Sequence, residues 1–296
     1  MSKILISGSS GFIGKELSSY LRKKGHSVIP LVRQKEQEGI YWNPQTGEIN
    51  LAELEGLEQV IHLAGSPIFQ GRWTEKKKER IFLSRCRDTW VLSKALSCLQ
   101  KPPSYFFSAS AIGYYGNRGD EIVTEASSPG TGFLSDVCQR WESASDLLEK
   151  RGTRIVHGRF GIILSSPSSR GGLLAKILPI FRLGLGGKLG DGSQWMSWMA
   201  LEDLIRAIDF TRESPHLRGS FNMTSSHPVT NSIFTKILAD SLHRPALLPV
   251  PAFLLRLVLG ELADEAVLSS TRALPQKLID SGFSFRRPAL RDALFL

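Results

Sequence analysis

Three glycines at fixed spacing constrain this chain more than any other feature: Gly8, Gly11 and Gly14, in the segment Gly8-Ser9-Ser10-Gly11-Phe12-Ile13-Gly14. The apolar run Lys3–Ser7 precedes them. After them Phe12, Ile13, Leu17, Tyr20 and Leu21 recur on one face of a helix that ends at Gly25. Between a strand and a helix, glycines allow a tight turn and let backbone approach a bound phosphate closely. The third glycine lets the helix pack on the strand. The helix N-terminus adds free N–H groups and a partial positive charge.

Further strands are expected at Ser27–Val32, Gln59–Leu63, Ser104–Ser108 and Thr153–Leu164, with helices at Thr74–Leu99 and Phe133–Lys150. This alternation predicts an α/β fold, a Rossmann-type doubly wound parallel sheet covered on both faces. After Ser165 the texture changes. Ser165–Gly172 is a Ser/Gly-rich connection, and Leu183–Gln194 (LGLGGKLGDGSQ) is too glycine-rich for a regular helix. Leu201–Arg212 and Asn231–Leu242 return to helix, and Gly219–Met223 reads as a last strand. The expected organisation is a dinucleotide-binding domain over 1–165, completed by about 200–225, with a smaller C-terminal substrate lobe from 166–199 and 226–296.

The 37 basic and 28 acidic residues give a formal charge of +9, which suits a polyanionic ligand. Nucleic acid is not expected: the densest basic stretch, Arg72–Arg80, contains Glu75 and Glu79 and reads as a solvated helix face. Cys86, Cys98 and Cys138 have no CxxC spacing, so they read as reduced thiols without a metal framework. Strand character from Lys3 leaves no room for a signal peptide. Ala246–Gly260 is apolar, but Pro249, Pro251 and Arg256 interrupt it. It falls short of the ~20 apolar residues of a membrane span and reads as a packed helix of the small lobe. A cytoplasmic protein with a small-molecule substrate is expected, with no nucleic-acid or membrane partner and the oligomeric state open.

The end of the second strand discriminates between dinucleotides. An acid there suits the ribose 2′-hydroxyl of NAD, and an arginine suits the 2′-phosphate of NADP. The chain reads Leu31-Val32-Arg33-Gln34, which favours NADP(H).

With these elements in place, the sequence resembles the extended short-chain dehydrogenase/reductases. His62-Leu63-Ala64-Gly65 is similar to the family segment beside the cofactor's adenosine side. Ser108-Ala109-Ser110-Ala111 before Tyr115-Gly116 is similar to the strand motif bearing the catalytic hydroxyl, which implies that role for Ser110. The branch of "epimerase family" proteins is a closer match. Its tokens are Ser110–Gly116 (SAIGYYG), Phe133–Cys138 with Trp141-Glu142, Arg159–Leu164, Leu183–Met199 and Leu247–Glu265, which together span nearly the whole chain. The resemblance implies a cofactor-binding set of Gly8, Ser10, Gly11, Phe12, Ile13, Gly14, Arg33, Leu63, Ala64, Gly65, Arg85 and Phe160.

The chain departs from the family at its proton-transfer pair, Tyr-x-x-x-Lys. Aligned on Glu142, the lysine position holds Cys138 and the tyrosine position Leu134. Leucine has no proton to give, and a neutral thiol cannot replace a fixed ammonium. Tyr114 or Tyr115 is the nearby phenol that could stand in. Counting back from Thr89, a family asparagine position holds Arg85, suited to a substrate carboxylate or phosphate or a cofactor phosphate. The expected function is an NADP(H)-dependent oxidoreductase acting on a carbonyl, alcohol or nucleotide-sugar-like compound. A catalytically silent NADP(H)-binding module is the alternative, and a nucleotide-sugar epimerase comes third.

Overall fold

The computed structural model describes residues 1–165 and 171–294; residues 166–170 of the expected Ser/Gly-rich connection lie outside the described residues. Its centre is an eight-stranded sheet. In chain order the strands are β1 (Lys3–Ser7), β2 (Ser27–Val32), β3 (Ile40–Asn43), β4 (Glu48–Ile49), β5 (Gln59–His62), β6 (Tyr105–Ala111), β7 (Arg154–Phe160) and β8 (Gly219–Met223). Their spatial order is β8-β7-β6-β5-β1-β2-β3-β4, parallel throughout except for the β3–β4 edge pair. The strand order reverses between β1 and β5. In such sheets a crevice opens beyond the carboxyl ends of the strands at that reversal, and ligands bind there.

Alternation along each strand divides the core between the two faces. Ile4, Ile6, Ile61, Phe107 and Val156 point to one side, against Leu17 and Leu21 of helix α1 (Phe12–Lys23). Leu5, Val60, Phe106 and Ile155 point to the other, against Leu92 and Leu96. These strands are buried on both faces, which is why they read as continuous apolar runs.

The expected helix Thr74–Leu99 forms in three pieces: α2 (Glu75–Phe82), a π-helical turn (Leu83–Arg87) and α3 (Asp88–Ser97). Thr74 caps the start, its hydroxyl accepting from the Lys77 N–H at 3.2 Å. The expected helix over Phe133–Lys150 ends early, as α4 (Phe133–Ser143), and a short turn over Asp146–Glu149 follows. Helices α5 (Gly172–Arg182), α6 (Leu201–Glu213) and α7 (Asn231–Leu242) come next. Leu174, Leu178 and Phe181 of α5 share a separate core with Trp198, with Phe234 and Leu238 of α7, and with Leu290 and Leu294.

The apolar stretch Ala246–Gly260 departs from expectation. It forms a helix, α8 (Ala252–Leu259), but none of its residues is buried, and Phe253 and Leu257 are 69% and 68% exposed. Of its residues only Ala252, Leu255 and Leu259 are partly buried. That stripe is too narrow to cover a helix that is apolar nearly all round. Among the described residues no helix is long and apolar enough to cross a membrane.

Candidate functional site

The glycine loop closes as its spacing requires. Gly8 is left-handed (φ +67°), and a Cβ there would meet the Ala64 N atom at 3.0 Å, so the loop lies against the end of β5. A Cβ on Gly14 would sit 2.1 Å from the Gly8 carbonyl oxygen, so only glycine lets α1 approach β1 this closely. The Gly11 N–H is taken by the Gly8 carbonyl at 3.0 Å. Among the described residues no side chain caps α1, and none takes the N–H groups of its first turn, at Phe12, Ile13 and Gly14, which are placed to receive an anion. The residues present therefore fit a dinucleotide pyrophosphate. Ser10 and Gly11 are exposed at the rim of the loop. The Phe12 ring lies under the start of α5, where a Cβ on Gly171 would come within 2.5 Å of it.

Beside the loop, Ser7 ties β1 to β5. Its hydroxyl accepts from the Leu63 and Ala64 N–H groups at 3.0 and 3.2 Å and meets His62 Nδ1 at 2.7 Å. With both N–H groups donating to it, the hydroxyl proton goes to Nδ1 and His62 carries its own proton on Nε2. Burial, aided by the Arg33 charge, lowers the His62 pKa to about 4, so the ring is neutral at physiological pH. His62 is therefore an interior strut rather than a base. Arg33 follows β2 directly, is exposed, and forms no ion pair with the described residues.

The residues near the expected chemistry are brought together, but not as the family pattern implies. Ser110, at the end of β6, is buried, and its hydroxyl donates to Glu142 Oε1 at 2.7 Å. Glu142 is gripped by Arg159, Nε to Oε1 and Nη2 to Oε2 at 2.8 Å each, and accepts from the Ser220 hydroxyl at 2.9 Å. Burial alone would raise the Glu142 carboxyl, but the Arg159 hydrogen bonds and charge outweigh it and hold the pKa below its ordinary value. Arg159 also donates to the Tyr115 hydroxyl at 2.9 Å, which in turn donates to Asn222 Oδ1 at 2.7 Å. Tyr115 is fully buried, which pushes its pKa up to about 12. With both contacts of its oxygen used inside the protein, Tyr115 offers nothing to a substrate. Tyr114 is half-buried, its ring 3.5 Å from the Arg159 guanidinium carbon and edge-on to Tyr115. Phe160, at the end of β7, stacks on Phe107.

Leu134 and Cys138 sit on one face of α4, under the turn Ile112–Tyr115. A Cβ on Gly113 would meet Leu134 Cβ at 3.3 Å and Cys138 Sγ at 3.8 Å. Burial pushes the Cys138 thiol up to about 12, so it is neutral. Arg85, in the π-helical turn, reaches back to Gly65 and Ser66 after β5, its Nη1 donating to the Ser66 carbonyl at 3.0 Å. Sequence reasoning missed Glu265 entirely. Its carboxylate accepts from the Phe133 and Leu134 N–H groups at 3.2 and 3.0 Å and so caps α4. No local signal announces a cap supplied from more than a hundred residues away.

A sequence model of the NAD dependent epimerase/dehydratase family matches residues 4–223, and a domain of unknown function (DUF1731) matches residues 250–294. The chain is 40% identical over 293 residues to the epimerase family protein Mb2239 of Mycobacterium bovis, covering 98% of this chain and 96% of that one. The human epimerase family protein SDR39U1 (isoform 2), solved with NADPH, superposes with a TM-score of 0.89 at 27% identity, covering 99% and 98% of the two chains. A nucleoside-diphosphate sugar epimerase from Corynebacterium glutamicum superposes at 0.81 with 32% identity, covering 99% of this chain and 57% of that one. The match over residues 4–223 and the near full-length identity to the mycobacterial protein show that this chain belongs to the NAD dependent epimerase/dehydratase family, in its branch of epimerase family proteins.

Proposed function

We propose that the protein is an NADP(H)-dependent oxidoreductase acting on a small carbonyl or alcohol compound. The observation that carries this reading is the pairing of an uncapped α1 behind Gly8–Gly14 with an unpaired Arg33 at the end of β2. The first suits a pyrophosphate and the second a 2′-phosphate. That the human relative was solved with NADPH is in keeping with this choice. Leu63, Ala64 and Gly65 would line the adenosine side, and Ser10, Phe12, Ile13 and Phe160 would complete the wall.

When bound, the dinucleotide supplies hydride transfer at a carbonyl or alcohol carbon. The chain must orient the substrate and handle the proton at its oxygen. Tyr114 is the phenol assigned to that proton, because Tyr115 is closed off inside the protein. Ser110 can polarise a carbonyl only if its hydroxyl turns away from Glu142. That commitment, with Leu134 and Cys138 at the pair positions, favours a second reading, a binding module that does no chemistry.

The two readings part in one assay: NADPH absorbance at 340 nm followed against a panel of aldehydes, ketones and keto acids. Oxidoreductase function requires enzyme-dependent consumption with at least one compound, reduced by Tyr114→Phe on the order of 10²-fold, the lower range for a general acid. Saturable NADPH binding without turnover across the panel would leave the silent module. Little or no interconversion of UDP-glucose and UDP-galactose is expected, since that reaction needs the missing pair.

A further inference from the structure

Helix α8 is apolar on the side it turns to solvent. Phe253, Leu254, Leu257 and Val258 are all exposed, and their spacing of i, i+1, i+4 and i+5 places them in one stripe along the helix. A neighbouring pair of segments extends the stripe. The glycine-rich run after α5 lies along the chain that leads into α8: the Leu248 N–H donates to the Gly186 carbonyl at 3.2 Å, and the Val250 N–H to the Lys188 carbonyl at 2.9 Å. Glycine permits this approach, since a Cβ on Gly187 would collide with the Leu248 carbonyl. The pairing gathers Leu183 and Leu185 beside Leu247 and Leu248, all more than half exposed, at the N-terminal end of α8.

These side chains, each between 40% and 80% exposed, together present on the order of 1,000 Å² to solvent. The largest apolar patch on a typical monomer is ~300–600 Å², and each partner in a standard-size interface covers ~800 Å². The exposed area is thus the area that a stable dimer needs. Charge argues against a lipid surface as the cover. A helix that lies on a bilayer carries Lys and Arg along its polar side. Helix α8 carries a single charge, Arg256, and Asp264 neutralises it at 2.9 Å.

The two ends of the patch differ in charge. Arg182 and Arg244 flank the leucines at the N-terminal end of α8, exposed and without an ion pair among the described residues. At the C-terminal end Glu261 and Asp264 are paired on one side, with Lys78 and Arg256, and about half exposed on the other; Arg72 lies there against Gly260. We propose that this face docks a second copy of the chain, in an isologous pair whose two α8 helices run antiparallel. That arrangement buries each apolar stripe against the other. It keeps the two arginine ends apart, sets each against the acids of the other copy, and opposes the two helix dipoles.

Sedimentation velocity of the native protein tests this. At about 10 µM and physiological salt it should show a species of twice the chain mass, since interfaces of this size hold at micromolar concentration or below. Phe253→Glu and Leu257→Glu should each weaken dimerisation roughly 30-fold or more, the loss at an interface hot spot. Circular dichroism should be unchanged in both, because each side chain is exposed in the single copy. Ile279→Glu, exposed in the short helix Gln276–Asp280, is the control and should leave the dimer intact. Arg182→Gln combined with Arg244→Gln should weaken the dimer severalfold, the size of exposed ion pairs. A dimer that is unchanged or tighter in that variant would overturn the antiparallel pairing. A native protein still monomeric at ~100 µM, or a dimer indifferent to both glutamates, would overturn the proposal. So would flotation of the native protein with vesicles of phosphatidylserine and phosphatidylcholine, which would give the patch to a lipid surface.

Discussion

Glu142→Gln is expected to destabilise the protein by about 3–5 kcal/mol, the cost of breaking a buried ion pair by removing one partner. The carboxylate takes four hydrogen bonds, two from Arg159 and one each from Ser110 and Ser220, and so joins α4 to β6, β7 and β8. The amide keeps the shape but loses the charge, leaving the Arg159 guanidinium in the interior without its counter-ion. Since the folded carboxyl titrates below its unfolded value, its contribution is complete at neutral pH and is lost as pH falls through the folded value. Urea unfolding at pH 7 measures the loss. A change below about 1 kcal/mol, the size of a surface pair, would show that the network does not hold the sheet to α4.

Gly11→Val is expected to weaken dinucleotide binding on the order of 100-fold in a protein that still folds. Gly11 is exposed and has φ −73°, a conformation open to any residue, and its added Cβ would approach only the Gly8 carbonyl, at 3.1 Å. The branched side chain would stand in front of the free N–H groups of α1. Losing two charge-assisted hydrogen bonds of ~1.5 kcal/mol each weakens binding on the order of 100-fold. Gly14→Val makes the contrast: Gly14 is buried and a Cβ there would collide with the Gly8 carbonyl, so this variant should lose folding together with binding. Fluorescence titration with NADPH, beside circular dichroism of both variants, reads the difference. Native affinity in Gly11→Val would mean that the phosphate lies elsewhere.

Features fixed by neighbours in the chain were legible in advance. β1 and β2 are bounded to the residue because each is a short apolar run between turn signals. The glycine turn is legible because Gly8 and Gly14 each answer a local steric demand, a left-handed backbone at Gly8 and a 2.1 Å approach to the Gly8 carbonyl at Gly14. β3, at Ile40–Asn43, escaped notice, since four residues in a polar stretch carry too little pattern. The π-helical turn at Leu83–Arg87 has no compositional mark, yet it aims Arg85. Ser110 was correctly placed at the end of β6, but its partner Glu142 lies on α4, and only tertiary packing decides where the hydroxyl proton goes. Likewise two adjacent tyrosines are equivalent in sequence, and the fold separates them by burying Tyr115 against Asn222 and Arg159. The apolar composition of α8 suggested a packed helix, because composition reports what a face can bury and not whether anything covers it.

Calorimetric titration of the native protein with NADPH and with NADH decides whether the site is built for NADP(H). NADPH should bind with roughly tenfold or greater preference, from a charge-assisted contact of about 1.5–3 kcal/mol between Arg33 and the 2′-phosphate, and Arg33→Ala should erase the preference. Equal affinity for the two, or a preference that survives Arg33→Ala, would contradict the assignment.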